Sequence, residues 1–380
     1  MKEEIAIIGG GIAGLTTAIA LQKIGKQPIV FESAEKIKAI GAGLGLAANA
    51  LQAFKRLDIL EEVIDRGRIL PSFTVYDEKG RKITRTDSKK ISRKYGIDNF
   101  TIHRANLHQL LLSKLDGQQV ITNKKAIDIE QKDNRVIIKF QDGSIHESNF
   151  VIVADGIHSE IRKKLCPGSL PRYAGYTCWR AIIDNPGMAY TESSETWAAA
   201  GRFGIVPLAF NKLYWFACIN AKPNDERLRK FTISDLQNRF KIFHHPIPEI
   251  LLQTKNECLI QNDIIDIQPI SNYAFKNVLL IGDAAHATTP NLGQGACQAI
   301  EDAIIVAEEI KRNPDIGSAF MKFEKRRIKR THDVVNKSRA IGKIAQLENT
   351  FLITLRNSIF RMLPSGLNDQ QLKKIYTVDF

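Results

Sequence analysis

Four apolar residues, Ile5-Ala6-Ile7-Ile8, run straight into Gly9-Gly10-Gly11-Ile12-Ala13-Gly14, and this junction constrains the chain more than any other stretch. A short run rich in β-branched residues predicts a strand, apolar positions from Ala13 to Ile24 recur at helical spacing, and Pro28-Ile29-Val30-Phe31 supplies a second strand. Strand, helix, strand is a βαβ unit, which demands a parallel sheet covered by helices. The glycines fit G-x-G-x-x-G in the context where that spacing has physical meaning. Gly9 allows the tight turn, Gly11 lets the backbone approach a pyrophosphate, and Gly14 permits close helix packing. Ile12 and Ala13 open a helix whose free N–H groups and positive dipole end face the phosphates. Glu32 ends the second strand, where a carboxylate accepts hydrogen bonds from both ribose hydroxyls of an adenosine half and repels a 2′-phosphate. The implied nucleotide is FAD or NAD rather than NADP.

Later residues separate those two. Phe150-Val151-Ile152-Val153 leads into Ala154-Asp155-Gly156, and Val278-Leu279-Leu280-Ile281 leads into Gly282-Asp283; both read as buried strands of the same sheet. Pro290-Asn291-Leu292-Gly293-Gln294-Gly295 then precedes a helix beginning near Ala296, so a second helix N-terminus is delivered to the sheet's ligand edge. Asp283 at a strand end can hold a polyol hydroxyl, and the glycine-rich helix start can stabilise the negative charge that the pyrimidine end of a reduced flavin acquires. NAD has no need of that second cradle.

The chain has 380 residues, 44% hydrophobic and 25% charged, which is enough apolar material for two joined domains. Residues 1–70, 100–168 and 271–345 are assigned to a discontinuous FAD-binding domain. Alternating, aromatic-rich segments assign 71–99 and 169–270 to an inserted β-sheet substrate domain, and 346–380 forms a C-terminal helical segment broken at Pro364-Ser365-Gly366. The expected fold class is therefore α/β, with a Rossmann-like parallel sheet, a second β-sheet domain and closing helices.

Charge and cysteine usage bound the partners. The excess of 54 basic over 41 acidic residues, +13, permits anionic ligands, nucleic acid or an anionic membrane surface. Lys79 to Lys94 holds eight Lys or Arg in sixteen residues and Lys325 to Arg330 holds five in six, but neither carries the interleaved aromatics of a stacking platform. Both read as solvated faces, and no nucleic-acid partner is expected. Cys166, Cys178, Cys218, Cys258 and Cys297 are widely spaced without a C-x-x-C, which fits a reducing, cytoplasmic compartment and excludes a disulfide framework. His244-His245 lacks Cys or acidic partners at ligand spacing, so no metal is expected. The start shows no leader pattern, and no apolar run approaches the roughly 18 residues of a membrane span. Phe351 to Leu363 is apolar, and packing on the FAD-binding domain is its favoured use over lying on a membrane.

The motifs taken together resemble the single-component (group A) FAD-dependent aromatic monooxygenases. The resemblance rests on Gly9 to Gly14 with Glu32, Gly41-Ala42-Gly43 with Asn49, His103-Arg104-Ala105-Asn106-Leu107, Ala154-Asp155-Gly156 through Arg162, and Gly282-Asp283 through Gly295 with Glu301-Asp302-Ala303. Tyr173-Ala174-Gly175-Tyr176 with Trp179-Arg180, and Arg356-Asn357 to Pro364, are similar to the branch containing urate hydroxylase, salicylate hydroxylase and zeaxanthin epoxidase. One departure is Val153, which stands where the family usually has a glycine; it implies a slightly different turn. The resemblance implies that Arg104 contacts the flavin side of FAD, that Ala126 lies near the adenine, and that Asp283 binds the ribityl or pyrophosphate region. It implies that Asp155-Gly156 serves FAD and a transient NADH or NADPH, and that Gly43, Pro290, Gly293, Gln294, Gly295 and Ala296 complete the cofactor site. It further implies hydroxylation of a small aromatic or heteroaromatic substrate by O2 through a flavin C4a-hydroperoxide, in a monomer or dimer.

Arg202 and Tyr214 flank Pro207 in a predicted hairpin, and their spacing resembles the Arg and Tyr that urate-hydroxylase-like members present to an anionic heteroaromatic substrate. Arg180 is an alternative anion contact. His286 reads as a helix-approach residue near the cofactor rather than a general base, and Cys297 as a buried thiol. An epoxidase or reductase acting on an isoprenoid-like substrate, and a non-catalytic FAD-carrying protein of membrane or nucleic acid, stand as alternatives. The halogenase motif W-x-W-x-I-P begins at none of Trp179, Trp197 or Trp215.

Overall fold

Ile5–Ile8 is buried on both faces, as a central parallel strand must be. It lies between Ile29–Phe31 and Phe150–Val153, and both pair with it in parallel. Val278–Leu280 extends the sheet in parallel beyond Phe150–Val153, so the two later apolar runs join the first βαβ unit as expected. Val120–Ile121 and the antiparallel Ala274–Phe275 form the edges of six strands. The computed structural model describes residues 4–35, 42–116, 119–187, 190–363 and 373–380. Gly41 and Pro364-Ser365-Gly366 lie outside these described residues.

Helix Ile12–Lys23 packs against Gly295–Arg312, whose small Ala299, Ala303 and Ala307 face inward among Ile300, Ile304 and Val306. Helix Ile316–Ala345 packs on the second of these. Two small sheets complete this half, one of Ala126–Lys132, Arg135–Phe140 and Ile145–Ser148, the other of Gly43–Leu46, Gly67–Ile69 and Phe100–His103.

The stretches 71–99 and 169–270 meet in one seven-stranded sheet, because Ser72–Tyr76 pairs in parallel with Ser193–Ala198. Its order runs Ile260–Ile267, Pro171–Asp184, Lys212–Asn220, Gly201–Pro207, Ser193–Ala198, Ser72–Tyr76, Lys82–Asp87. The outer face is covered by helices Ile233–Phe240 and Ile247–Leu252, which bury Trp179, Phe203 and Trp215. On the inner face of the three central strands, Arg180, Ile182, Val206, Tyr214 and Phe216 are only half-buried. The other face is sealed, so these half-exposed side chains leave the inner face incompletely covered.

Two expectations need correction. Lys325 to Arg330 is not simply a solvated face: Arg327 is completely buried, with Nε 2.7 Å from Asp302 Oδ1 and Nη1 2.5 Å from Glu301 Oε2. A buried guanidinium needs carboxylates, and the helix Gly295–Arg312 supplies two adjacent ones. Helix Thr350–Met362, expected on the cofactor half, packs instead on the edge strand Lys82–Asp87. Phe360 meets Trp197 edge-on at 5.9 Å, and Arg361 Nη2 donates to Asp77 Oδ2 at 2.8 Å. Among the described residues no helix is long and apolar enough to cross a membrane.

Candidate functional site

The first cradle is built by the turn after Ile5–Ile8. Gly9 has φ +106°, and its N–H donates to Phe31 O at 2.8 Å. A Cβ on Gly14 would lie 1.9 Å from Gly9 O, so the helix approaches the turn as closely as glycine allows. Nothing lies within 4 Å of where a Cβ on Gly11 would be; the space above this residue is open. Glu32 accepts from Gly10 N–H and Ala34 N–H, both at 2.7 Å, which fixes its carboxylate beside the turn. Lys124 N–H donates to Glu32 O at 2.8 Å, so Ala126, two residues on and buried, stands at the same end. Asp155 and Gly156, φ +86°, form the neighbouring turn. Burial pushes the Asp155 carboxyl up to about 6, and its Oδ1 is buried without a hydrogen-bond partner.

The second cradle touches the first, since a Cβ on Gly282 would stand 2.9 Å from Ala13 Cβ. Asp302 holds this turn in place: its Oδ2 accepts from Gly282 N–H at 2.8 Å and lies 2.7 Å from His286 Nε2. Burial opposes ionisation of Asp302, but His286 and Arg327 outweigh it and hold the carboxyl below the ordinary range. His286 is therefore a buried, paired ring that positions the turn. Asp283 is open to the cleft yet walled in by protein, which raises its carboxyl against the opposing fields of His286, Arg104 and Arg162. Arg162, buried, donates to Ile157 O at 2.6 Å and Ala284 O at 3.3 Å, tying the two strand-end turns together. Arg104 is exposed at the start of helix Arg104–Ser113, where His103 Nδ1 caps the helix by accepting from Ala105 N–H at 3.1 Å.

Pro290 and Gly293 are exposed, Gly295 and Ala296 are half-buried, and together they bring the free first-turn amides of Gly295–Arg312 to the cleft. Gln294 is buried, accepting from Asn49 Nδ2 at 3.0 Å and Gln298 Nε2 at 2.9 Å. Burial pushes the Cys297 thiol up to about 12, so it stays protonated. Two helix N-termini, open space over Gly11, and an orphaned carboxylate oxygen on Asp155 fit a dinucleotide with a pyrophosphate and a polyol. The described residues contain no cluster suited to a metal ion.

The seven-stranded sheet walls the cleft opposite. A Cβ on Gly43 would lie 2.5 Å from the Tyr214 ring, so the cofactor-side strand and the sheet meet at this contact. Val206 pairs with Tyr214 and Arg202 with Cys218, which places Arg202 and Tyr214 on one inner face but not side by side. Arg202 is only 3% exposed. Its Nη1 is 3.1 Å from Glu195 Oε1, its Nε donates to Gln346 Oε1 at 2.8 Å, and its guanidinium lies 5.1 Å over the Tyr176 ring. Tyr176 in turn donates to Asn291 Oδ1 at 3.1 Å, linking the wall to the second cradle. Arg180 donates to Asn262 Oδ1. Burial and the neighbouring Cys178 raise the Tyr214 phenol well above its ordinary range, so it is a neutral donor.

Sequence reasoning missed Glu195, Gln346 and Arg327. Glu195 was detectable in principle: an acidic residue within the strand Ser-Ser-Glu-Thr-Trp-Ala cannot be buried without a cation, and the neighbouring strand holds one.

A family model described as an FAD binding domain matches residues 2–312. Aurachin C monooxygenase/isomerase of Stigmatella aurantiaca is 32% identical over 371 residues, covering 97% of this chain and 97% of that protein. The 2-heptyl-3-hydroxy-4(1H)-quinolone synthase of Pseudomonas aeruginosa is 29% identical over 377 residues, covering 98% of this chain and 97% of the relative. Among solved structures, Klebsiella pneumoniae HpxO complexed with FAD and uric acid superposes with a TM-score of 0.88 at 25% identity, over 98% of this chain and 97% of that one. With two cradles for one dinucleotide, a match across most of its length and relatives of the same chemistry, this chain belongs to the FAD-dependent aromatic monooxygenases.

Proposed function

We propose that the protein hydroxylates a neutral, electron-rich heteroaromatic compound with an apolar substituent, using NADH or NADPH and O2. The observation that carries the neutral class is the Glu195–Arg202 pair. Arg202, buried in the wall, already has a carboxylate at 3.1 Å, so an anionic ring would find that charge compensated. Of the remaining inner-face side chains, Arg180 is held on Asn262 Oδ1, and Ile182, Val206, Tyr214 and Phe216 offer apolar contact and one neutral hydroxyl. The name of the quinolone relative carries a heteroaromatic ring with a heptyl chain, which is of this character.

Bound FAD, once reduced by the nicotinamide cofactor, supplies the activation of O2 that places one oxygen atom on the substrate and the other in water. The chain's residues do the rest. Gly9, Gly11, Ile12, Ala13 and Gly14 receive the pyrophosphate, Glu32 and Ala126 the adenosine end, and Asp155, Gly156 and Asp283 the polyol region. Arg104, Gly43, Pro290, Gly293, Gln294, Gly295 and Ala296 surround the flavin end, where the helix dipole favours negative charge. Tyr214 orients the substrate by donating from its phenol, and the Arg202–Glu195–Gln346 network holds the wall rigid behind it. On this reading the seven-stranded sheet is the substrate domain and 346–380 the closing segment. The five unpaired cysteines fit a reducing, cytoplasmic setting.

The test is NAD(P)H oxidation in air by flavin-loaded protein with a matched panel. Neutral 4(1H)-quinolones, with and without an alkyl chain, should stimulate oxidation and give oxygenated product with kcat/KM at least about tenfold above urate or salicylate. Preference for the anions would reverse the substrate assignment.

A further inference from the structure

Helix Thr350–Met362 is amphipathic in the wrong sense for a helix that ends its packing here. It buries Ile353, Arg356 and Asn357, with Phe360 half-buried, at the i, i+3, i+4, i+7 spacing of one face. Its opposite face carries Phe351, Leu352, Leu355, Ile359 and Met362, all exposed, with Phe351 at 73% and Met362 at 82%. At 100° per residue these five fall within about a third of the helix circumference, a continuous apolar stripe aimed at solvent. The buried face holds an arginine and an asparagine while the solvent face holds five large hydrophobics.

The stripe has a charged border. The helix lies along the edge strand Lys82–Asp87, and Arg361 Nε donates to Lys82 O at 3.1 Å. That strand runs directly into helix Ser88–Tyr95, and Lys79, Arg81, Lys82, Arg85, Lys89, Lys90, Arg93 and Lys94 are all exposed. The nearby acids offset only part of this charge: Asp77 accepts from both Arg81 and Arg361, Arg85 pairs with Glu192 at 3.1 Å, and Asp87 caps the helix through Lys90 N–H. A large apolar stripe beside a dense set of cations matches a surface that is anionic outside and apolar just beneath. Duplex nucleic acid offers no apolar layer, and a second copy of this +13 chain would bring cations against cations.

We propose that helix Thr350–Met362 and the basic stretch Lys79–Lys94 form a docking face for an anionic lipid bilayer, the helix lying in the interface with its five hydrophobics inserted.

Full-length, FAD-loaded protein is sedimented with vesicles of phosphatidylcholine alone and of phosphatidylcholine with phosphatidylglycerol, at low and high salt. The expected result is strong partitioning to the anionic vesicles only, weakened by salt. Leu355→Glu and Met362→Glu should each lower partitioning about tenfold. Neutralising Lys89, Lys90, Arg93 and Lys94 to Gln should lower it about fivefold per charge. Flavin absorbance and thermal midpoint of each variant report an intact fold, because these side chains are exposed. Equal partitioning of wild type and the Glu variants overturns the proposal. So does vesicle-free, concentration-dependent dimerisation abolished by Leu355→Glu, which would make the occupant a second copy. Duplex DNA binding insensitive to the helix substitutions, without vesicle binding, overturns it as well.

Discussion

Asp155 offers a direct measure of how far the cofactor cleft is built at the expense of the empty protein's stability. Its carboxyl is pushed by burial from 3.8 to about 6, and one of its oxygens has no partner. A tenfold change in acidity corresponds to about 1.36 kcal/mol, so ionised Asp155 destabilises the folded apoprotein by about 2–3 kcal/mol once solvent screening is allowed for. The folded pKa is raised, so the protonated form is the favoured one in the fold. The cost is absent well below pH 3.8, grows as pH rises between that value and about 6, and is complete above it. Asp155→Asn removes the titration and keeps the shape. In urea unfolding of apoprotein, the variant should exceed wild type by about 2–3 kcal/mol at pH 8, narrowing to about 1 kcal/mol at pH 4.5. On the proposed reading, in which the carboxylate accepts from a polyol hydroxyl, the variant should also retain less FAD. An advantage that does not change with pH, or a wild type more stable than the variant at pH 8, refutes the argument.

Other outcomes follow from the same geometry. Gly11→Ala should leave apoprotein stability within about 0.5 kcal/mol of wild type, because the space is open, while flavin retention measured by absorbance falls at least about tenfold. Arg327→Leu removes the fully buried cation shared by Glu301 and Asp302, leaving them only Arg330 and His286, and should cost about 3–5 kcal/mol in urea unfolding at pH 7. Both carboxyls are opposed by burial but held below their ordinary range by Arg327 and its neighbours. The wild-type contribution of this network is therefore present above about pH 4.5 and lost as pH falls, and the gap between wild type and Arg327→Leu should close in acid. Glu195→Gln frees the charge of Arg202, so kcat/KM for anionic aromatics should rise at least about tenfold relative to neutral ones; no change in that ratio would remove Glu195 from specificity.

The parts of this molecule legible in the sequence are those in which local chemistry decides. Ile5-Ala6-Ile7-Ile8 is too short and too uniformly apolar to be anything but a central strand once Gly9 to Gly14 follows, and Phe150–Val153 and Val278–Leu280 repeat the signature. Burial of Cys297 and the pairing of His286 agree with the blander readings of both residues. What escaped was long-range pairing of charge. Glu195 and Arg202 are brought together by a strand register, and Arg327 reaches Asp302 across a helix interface. Neither partner announces itself in its own stretch: Arg327 sits in a run of five cations in which the helical phase alone makes it the buried one. The closing helix was misplaced for the converse reason. Its apolar residues suggested a buried face, but the face it buries is set by Arg356, Asn357 and the Trp197–Phe360 contact.

The order in which the first sheet is filled has a consequence for how the protein is made. Ile5–Ile8 leaves the ribosome ahead of both its partners, pairs first with Ile29–Phe31, and must wait for Phe150–Val153 to cover its other edge. Val278–Leu280 comes later still, and Gly282 is fastened only when Asp302 has been synthesised. A growing chain therefore carries a half-paired, fully apolar strand until Phe150–Val153 has been made, the kind of segment that invites aggregation and chaperone capture. The glycine loop and the helix beginning at Gly295 cannot converge until both have been synthesised, so a site that needs both cradles cannot form on the first of them alone.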